Sequence, residues 1–495
     1  MRRAPRPGQD EQTSRPHNVE LDRGGAAFGG QTRLDDVRFQ RRIGTLAYHP
    51  AVHQPDPPAR APSTAPSSAP RRLLGLPEFR ALVGARSTNA LATSALATVV
   101  AFQTYEITRD PLALGWLGLV EAIPALSLVL FGGHLADRRD RRLIVVVTSA
   151  IVTATAVVLA VLSAAGLLSL IGILAVIFAT GVASGFERPA LTALEAQVVP
   201  REDAARGISI LSSVSQSGAI VGPAVGGIAI ALVGIAATYA GIAVLLAIST
   251  ACLALISSKP IPARVEGEPM LQSLLGGIRY VARTPALVGS MALDLFAVFF
   301  GGAIALLPIF ATDILHVGAI GLGLLRTAPS IGALLVMLIA TRRPPSRHAG
   351  RTLLLCVAGF GLSMIVFGAS TIFAVSLIAL FFAGVTDGVS MIIRNTILRV
   401  LSPERIRGRV ASVNWVFIGA SNELGAFESG VAARLFGTVP SVVGGGILTL
   451  AVVGITAWLV PSLRTLDLDR ATPDDDGPAA SRIDVPGSIA GDAGS

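Results

Sequence analysis

Gly133-His134-Leu135-Ala136-Asp137-Arg138-Arg139-Asp140-Arg141-Arg142 places six charges in a row between two apolar runs, residues 112–135 and 143–165. A single Asp, Lys or Arg at the centre of a membrane helix costs roughly 2.5–3.5 kcal/mol on insertion scales, so such a cluster belongs at a membrane surface. The runs on either side then belong in the hydrocarbon. The same alternation recurs along the chain.

The whole chain answers in kind. Its 495 residues are 52% hydrophobic and 15% charged, with a mean hydropathy of +0.65. Soluble domains carry about 45–50% apolar and about 25% charged residues, which excludes an ordinary soluble protein. Apolar stretches long enough to cross ~30 Å of hydrocarbon recur twelve times, at 82–105, 112–135, 143–165, 167–199, 208–232, 235–256, 287–311, 318–340, 353–368, 372–400, 410–435 and 439–460. All are expected to be helices, because an open sheet in lipid leaves backbone groups unsatisfied. The expectation is an all-α membrane protein.

Lys and Arg near membrane ends stay on the cytoplasmic side. Alternate loops carry Arg138, Arg139, Arg141 and Arg142; Arg201 and Arg206; Lys259, Arg264, Arg279 and Arg283; Arg342, Arg343, Arg347 and Arg351; and Arg405, Arg407 and Arg409. The opposite loops offer only Arg109 and Arg434. Both termini are therefore expected in the cytoplasm. This sidedness accounts for the net charge of +8 without a nucleic-acid partner. Residues 1–72 mix Arg, Pro, Ser and Asp without periodicity and read as a disordered cytoplasmic tail. Residues 463–495 read as a second, acidic one. Cys252 and Cys356 stand alone inside apolar spans, which suggests packing residues and no metal site.

The chain also repeats itself. Ala81-Leu82-Val83-Gly84 returns as Ala286-Leu287-Val288-Gly289, Leu117-Gly118-Leu119 as Leu322-Gly323-Leu324, and Pro124 as Pro329. Gly181, Gly185 and Pro200 are echoed by Gly384, Gly388 and Pro403, with Arg206-Gly207 answering Arg407-Gly408. Duplication after six helices gives two halves of the same topology, related by an axis along the membrane normal. The expected organisation is a six-helix bundle over 73–257, a cytoplasmic connector over 258–285 with a short surface helix near 274–281, and a second bundle over 286–462.

The loop at 133–142 resembles that between the second and third helices of the major facilitator superfamily, with Asp140 where that pattern has Gly. The fifth span, with Gly218, Gly222, Pro223, Gly226 and Gly227, resembles the antiporter motif of drug exporters in the same superfamily. Segments around Asp294 and from Asn422 through Gly430 resemble the branch containing the bacterial enterobactin exporter and macrolide-efflux proteins. The resemblance implies twelve helices in two pseudo-symmetric bundles in a bacterial inner membrane. It also implies secondary transport, as a proton-coupled antiporter expelling a small amphipathic or siderophore-like compound by alternating access. The protein is expected to be monomeric in the lipid bilayer and without a bound cofactor, the proton gradient supplying the energy. An importer of the same fold and a non-transporting membrane sensor are the alternatives. No phosphate-binding loop or nucleophile motif suggests an enzyme.

Two sets of residues are singled out for mechanism. Gly133, Asp137, Arg138, Arg141 and Arg142 are expected to form a conformational latch, with Gly133 permitting close helix contact and Asp137 pairing with the other half. In the second half Arg342 falls where Asp137 lies in the first, so the latch is one-sided. Ionisable groups within spans are functional candidates by default: Glu121, Asp294, Arg326, Asp387, Arg394 and Glu423, with Glu187 and Arg188 as either ligands or salt bridges. Glu121 lies roughly ten residues into its span, about 15 Å deep at 1.5 Å per residue. Arg326 occupies the matching position in the eighth span, and each is placed to complete a polar interface between the halves. On this reading Glu423→Gln weakens proton coupling.

Overall fold

The computed structural model describes residues 73–259, 270–342 and 348–466. The expected tails, apart from residues 463–466, lie outside the described residues, as do Arg264, Arg343 and Arg347 of the basic loops.

The described chain is helical. In the first half α1 (Pro77–Thr108), α2 (Pro111–Arg138), α3 (Arg141–Ala164), α4 (Leu170–Val198) and α5 (Ala204–Ala254) follow one another through short turns. The last holds two crossings, because Gly234 (φ 80°, ψ 169°) breaks it into two arms. After a surface helix α6 (Met270–Arg283) comes α7 (Pro285–Gly301), which continues through a 3-10 turn at Ala303–Leu306, the short α8 (Leu307–Ile309) and a π turn at Phe310–Ile314. The remaining elements are α9 (Gly318–Ala340), α10 (Ala349–Ala369), α11 (Phe373–Leu401), α12 (Arg407–Phe436), α13 (Thr438–Leu459) and the short α14 (Pro461–Arg464).

Among the described residues nine helical stretches are long and apolar enough to span a membrane, one of them the 54-residue stretch Arg201–Ala254. Counting that stretch as two and adding α1 and α12 gives the expected twelve crossings. Those two helices are long enough, at 32 and 30 residues, but their Asn, Thr, Gln and Glu residues dilute their apolar character. The reason appears in the site below: both turn polar residues toward a cavity.

Side chains that end the helices explain the turns. Asp110 accepts from the Leu112 N–H to cap α2, and Ser169 from the Gly172 N–H to cap α4. Asp140 accepts from the Arg142 N–H at 2.9 Å to cap α3, and its other oxygen accepts from the Ser258 hydroxyl at 2.6 Å. The departure from the superfamily loop pattern is thus a helix cap.

The helices group into two bundles, α1–α5 and α7–α13, that meet along two seams: α2 against α12, and the first arm of α5 against α9. The repeated residues make equivalent contacts in each. A Cβ on Gly181 would strike the backbone of Glu121 and the Pro124 ring, and one on Gly384 the backbone of Pro329. Gly84 faces Cys252 on the second arm of α5, while Gly289 faces Val460 at the end of α13. The echo in sequence therefore preserves the sites where paired helices approach most closely. The connector helix α6 is docked: the Tyr280 hydroxyl donates to the Leu401 carbonyl at 2.6 Å, and Gly277 lies against the Arg409 backbone.

Candidate functional site

A cavity of about 870 Å³ lies between the bundles. This is within the range of small-molecule sites, about 300–1,000 Å³. Apolar side chains such as Leu96, Leu117, Val298, Phe360 and Met364 form much of its wall. Among the sequence-selected residues, Glu121, Glu187, Arg188, Asp294, Arg326, Asp387 and Glu423 all line it. Arg394 stands just behind, in contact with Asp294 of α7 and 3.5 Å from Asp387.

Arg326 and Glu423 each reach the opposite half, while Glu121 and Arg326, matched in the repeat, do not meet one another. Arg326 on α9 donates to the Ala97 carbonyl on α1 at 2.9 Å. Glu423 on α12 lies so close to α2 that a Cβ on Gly118 would sit 2.6 Å from its Oε2. Gly118 and Glu121 are three residues apart on α2, hence on one helix face. Two carboxylates from opposite halves thus share the α2–α12 seam, with Arg188 of α4 within electrostatic reach of both.

The cavity lining runs toward the face carrying the basic loops, through Arg86, Gln216, Met337 and Met391, and the described ion pairs between the halves gather at the opposite face. There Asp313, in the π turn after α8, accepts from the Tyr105 hydroxyl and pairs with Arg109 at 3.0 Å. Asp110 pairs with Arg434 at 3.1 Å. These two clasps join the first bundle to the second. Described ion pairs toward the basic face stay within one half, as in Arg86–Glu195 at 3.2 Å and Arg407–Glu404 at 3.7 Å, while Lys259–Glu78 at 2.5 Å ties the connector to the first bundle. The glycines of the fifth span divide along the same line. Gly218, Gly222 and Gly226 seat α5 on α1 within the first bundle, whereas Gly227 meets Ala319 and Gly323 of α9 in the second.

The basic loop is not engaged across the halves in this conformation. Asp137 is 78% exposed and pairs with Arg141 at 3.8 Å, within its own loop. Arg142 donates to the Ala254 carbonyl at 2.5 Å, capping the end of α5, and Arg138 is exposed. The expectation for Gly133 is corrected: a Cβ there would meet open space, while one on Gly132 would strike the Gly185 carbonyl and Phe186 of α4. One residue is about 100° of helix rotation, enough to turn the small position from solvent to partner. Gly132→Ala is therefore expected to lose about 1–3 kcal/mol through overpacking. Gly133→Ala should be neutral or gain up to ~1 kcal/mol of helix propensity. Thermal melting of the two purified variants checks the contrast.

Sequence reasoning missed the clasps and the Arg86–Glu195 pair. A signal for the clasps existed: Arg109 and Arg434 are the two cations that break the sidedness of the loops, and each bolts the halves together. Asp313→Asn removes the charge that pairs with Arg109 and leaves the Tyr105 hydroxyl only a neutral acceptor. Exposed ion pairs contribute roughly 0.2–1 kcal/mol, so the variant should raise the population open at this face several-fold. Thiol labelling of a cysteine introduced nearby measures that population, and unchanged labelling would argue against a clasp.

Comparison with known proteins agrees with this architecture. Residues 82–426 match the Major Facilitator Superfamily. Enterobactin exporter EntS of Escherichia coli O81 (strain ED1a) is 25% identical over 389 residues, covering 78% of this chain and 92% of that protein; the protein of that name from Escherichia coli O1:K1 / APEC is similar to the same extent. Among solved structures, a POT family transporter in complex with 5-aminolevulinic acid superposes with a TM-score of 0.63 at 12% identity, covering 78% of this chain and 96% of that one. A bacterial homologue of the human lysosomal transporter Spinster gives 0.63 at 15% identity, covering 80% and 99%. A multi-pass helical protein with two pseudo-symmetric bundles around a central cavity, matched over most of its length, belongs to the major facilitator superfamily of secondary transporters.

Proposed function

We propose that this protein is a proton-coupled exporter that expels a small amphipathic or siderophore-like compound from the cytoplasm by alternating access. The observation that carries the reading is the charged cavity between the bundles, its lining extending toward the basic face and its other side crossed by clasps. A compound entering from the cytoplasm meets apolar wall for its body and Glu121, Glu423, Arg188 and Arg326 for its polar groups. Similarity to an enterobactin exporter over nearly all of that protein supports the outward direction, and the glycines of the fifth span fit it. The basic face is then cytoplasmic, with both termini on that side of a bacterial inner membrane. The halves, 73–257 and 286–462, rock about the seams while the connector keeps them together, and protons return down their gradient in exchange.

In this scheme the loop at 133–142 engages when the cavity turns outward. Asp137 gives up Arg141 for a partner in the second half, with Arg138 and Arg142 completing the loop. Asp137→Asn is expected to lower transport at least several-fold while the protein remains in the membrane at normal amount. Equal flux in the variant would reduce the loop to a topology signal.

Everted membrane vesicles test the function. With a proton gradient established by respiration, addition of a transported compound from a panel of catecholate siderophores and amphipathic amines should dissipate the gradient, reported by a pH-sensitive dye. Silence across the panel, or uptake in the same direction as protons in intact cells, would count against proton-coupled export.

A further inference from the structure

Two groups in the cavity wall set two carboxylates against one arginine: Glu121 and Glu423 with Arg188, and Asp294 and Asp387 with Arg394. Only in the second is the arginine in direct contact with both carboxylates among the described residues. Arg394 faces two carboxylates, Asp294 on α7 and Asp387 on its own helix α11. Asp387 and Arg394 are seven residues apart, two helical turns, so they share a face of α11. The side chains of Asp294 and Arg394 are 11% and 13% exposed, and that of Asp387 is 49% exposed. With all three groups ionised, the cluster holds one negative charge in excess. An uncompensated charge in a low-dielectric wall is costly, and a single bound proton brings the cluster to neutrality. Of the two carboxylates, Asp387 is the one that cavity water reaches.

We infer that Asp387 is the group that takes up and releases the coupled proton, with the buried Asp294–Arg394 pair as its counterpart and α7 as the element it acts on. This rests on the proton-coupled reading above and assigns its site. Without a proton, Asp387 competes with Asp294 for Arg394; with one, the guanidinium is left to Asp294. The tie between α11 and α7 therefore changes with proton occupancy. The same α7 breaks at Gly302, and its continuation ends at Asp313 in the clasp with Tyr105 and Arg109. The Gly302 carbonyl accepts from the Ser429 hydroxyl of α12 at 3.2 Å, which holds the break in place. One element thus runs from the proton cluster to the opposite-face gate.

The other titratable or charged groups on cavity walls packed against α11 are Arg326 on α9, Cys356 on α10 and Glu423 on α12. Arg326 is occupied by the Ala97 carbonyl. Glu423 sits at the α2–α12 seam near Glu121, with no direct ion pair to Arg188 among the described residues. That pair then falls to the transported compound, a departure from the sequence expectation that Glu423 couples protons.

The test measures the spacing of the halves at the opposite face against pH, with no compound added. Full-length protein with Cys252 and Cys356 replaced by Ala receives spin labels at Ala165→Cys and Thr371→Cys, both in exposed turns of that face. Distances are recorded in liposomes between about pH 5 and pH 9. The parent should change the ratio of its two states by about tenfold or more over this range. Asp387→Asn should hold the low-pH distribution throughout, changing by less than about twofold. Asp387→Glu should still titrate, with a displaced midpoint, and covers the case that the Asn variant fails to fold. Glu423→Gln should titrate like the parent. An Asp387→Asn protein that titrates normally, or a Glu423→Gln protein that does not, overturns the assignment while leaving proton coupling intact. A parent that does not respond to pH overturns both.

Discussion

Valine at position 227 should cut transport by tenfold or more while leaving the protein folded and in the membrane. A Cβ on Gly227 would strike the Ala319 carbonyl and lie 3.1 Å from the Gly323 Cα, and one on Gly323 would lie 2.6 Å from the Pro223 carbonyl. The contact is backbone on backbone, so no flexible side chain can give way. What can give way is the seam, since the two helices belong to different halves. Overpacking of this kind costs roughly 1–3 kcal/mol, and every 1.4 kcal/mol is tenfold in an equilibrium. That cost falls on the conformation shut at the opposite face, and the population should move toward its opening. Gly222 makes the control, because a Cβ there would lie 2.6 Å from the Ser94 Cβ inside the first bundle. Gly222→Val should lower the yield of folded protein instead. Labelling of a cysteine at the opposite face, with yield from size-exclusion chromatography, separates the two results. A Gly227→Val protein with normal flux would remove the seam from the mechanism.

Arg394→Ala should be still more damaging. It leaves Asp294 and Asp387 facing each other without their cation, and breaking a buried pair by removing one partner costs about 3–5 kcal/mol. Most of the folded protein should be lost from the membrane. Arg394→Lys should recover only part of it, because an ammonium on a flexible stem lacks the planar fork that serves two carboxylates at once. Adding Asp294→Asn to Arg394→Ala should recover more than either single loss predicts, since the pair is lost together. Melting temperatures of the parent, Arg394→Ala, Asp294→Asn and their double variant form a double-mutant cycle, and additive losses would show that the contact contributes little.

The helices and their repeat were legible in the sequence because length, hydropathy and the position of small residues are one-dimensional. Expected bounds at 318–340 coincide with α9, and those at 372–400 fall one residue from α11. The loop at 133–142 was read as a surface turn, and Asp140 proves to cap α3. What stayed hidden depends on rotation and on convergence of distant segments. Gly132 and Gly133 are chemically the same residue, yet only the helix phase decides which meets α4. Asp294, Arg394 and Asp387 were each visible as intramembrane charges, but nothing along the chain says that α7 meets α11 at that height. Asp313 escaped notice for another reason: it lies in a π turn beyond the break in α7, where helical periodicity no longer applies. Arg109 and Arg434, visible as exceptions, needed Asp313 and Asp110 opposite them to acquire a meaning.

Gly234 between the arms of α5 and Gly437 between α12 and α13 occupy matching places in the two halves, with φ 80°, ψ 169° and φ 93°, ψ 155°. This backbone region is essentially reserved for glycine. Each hairpin turns through a single residue, and the longest connection on that face runs only from 165 to 169. Among the described residues no flap of chain on that face is available to fold over the cavity. Each hairpin must travel as one stiff piece, so opening at that face waits on the swing of an entire bundle. In the proposed export cycle that face is the outer one, and the same economy leaves it with little for an antibody, a protease or a phage to grip.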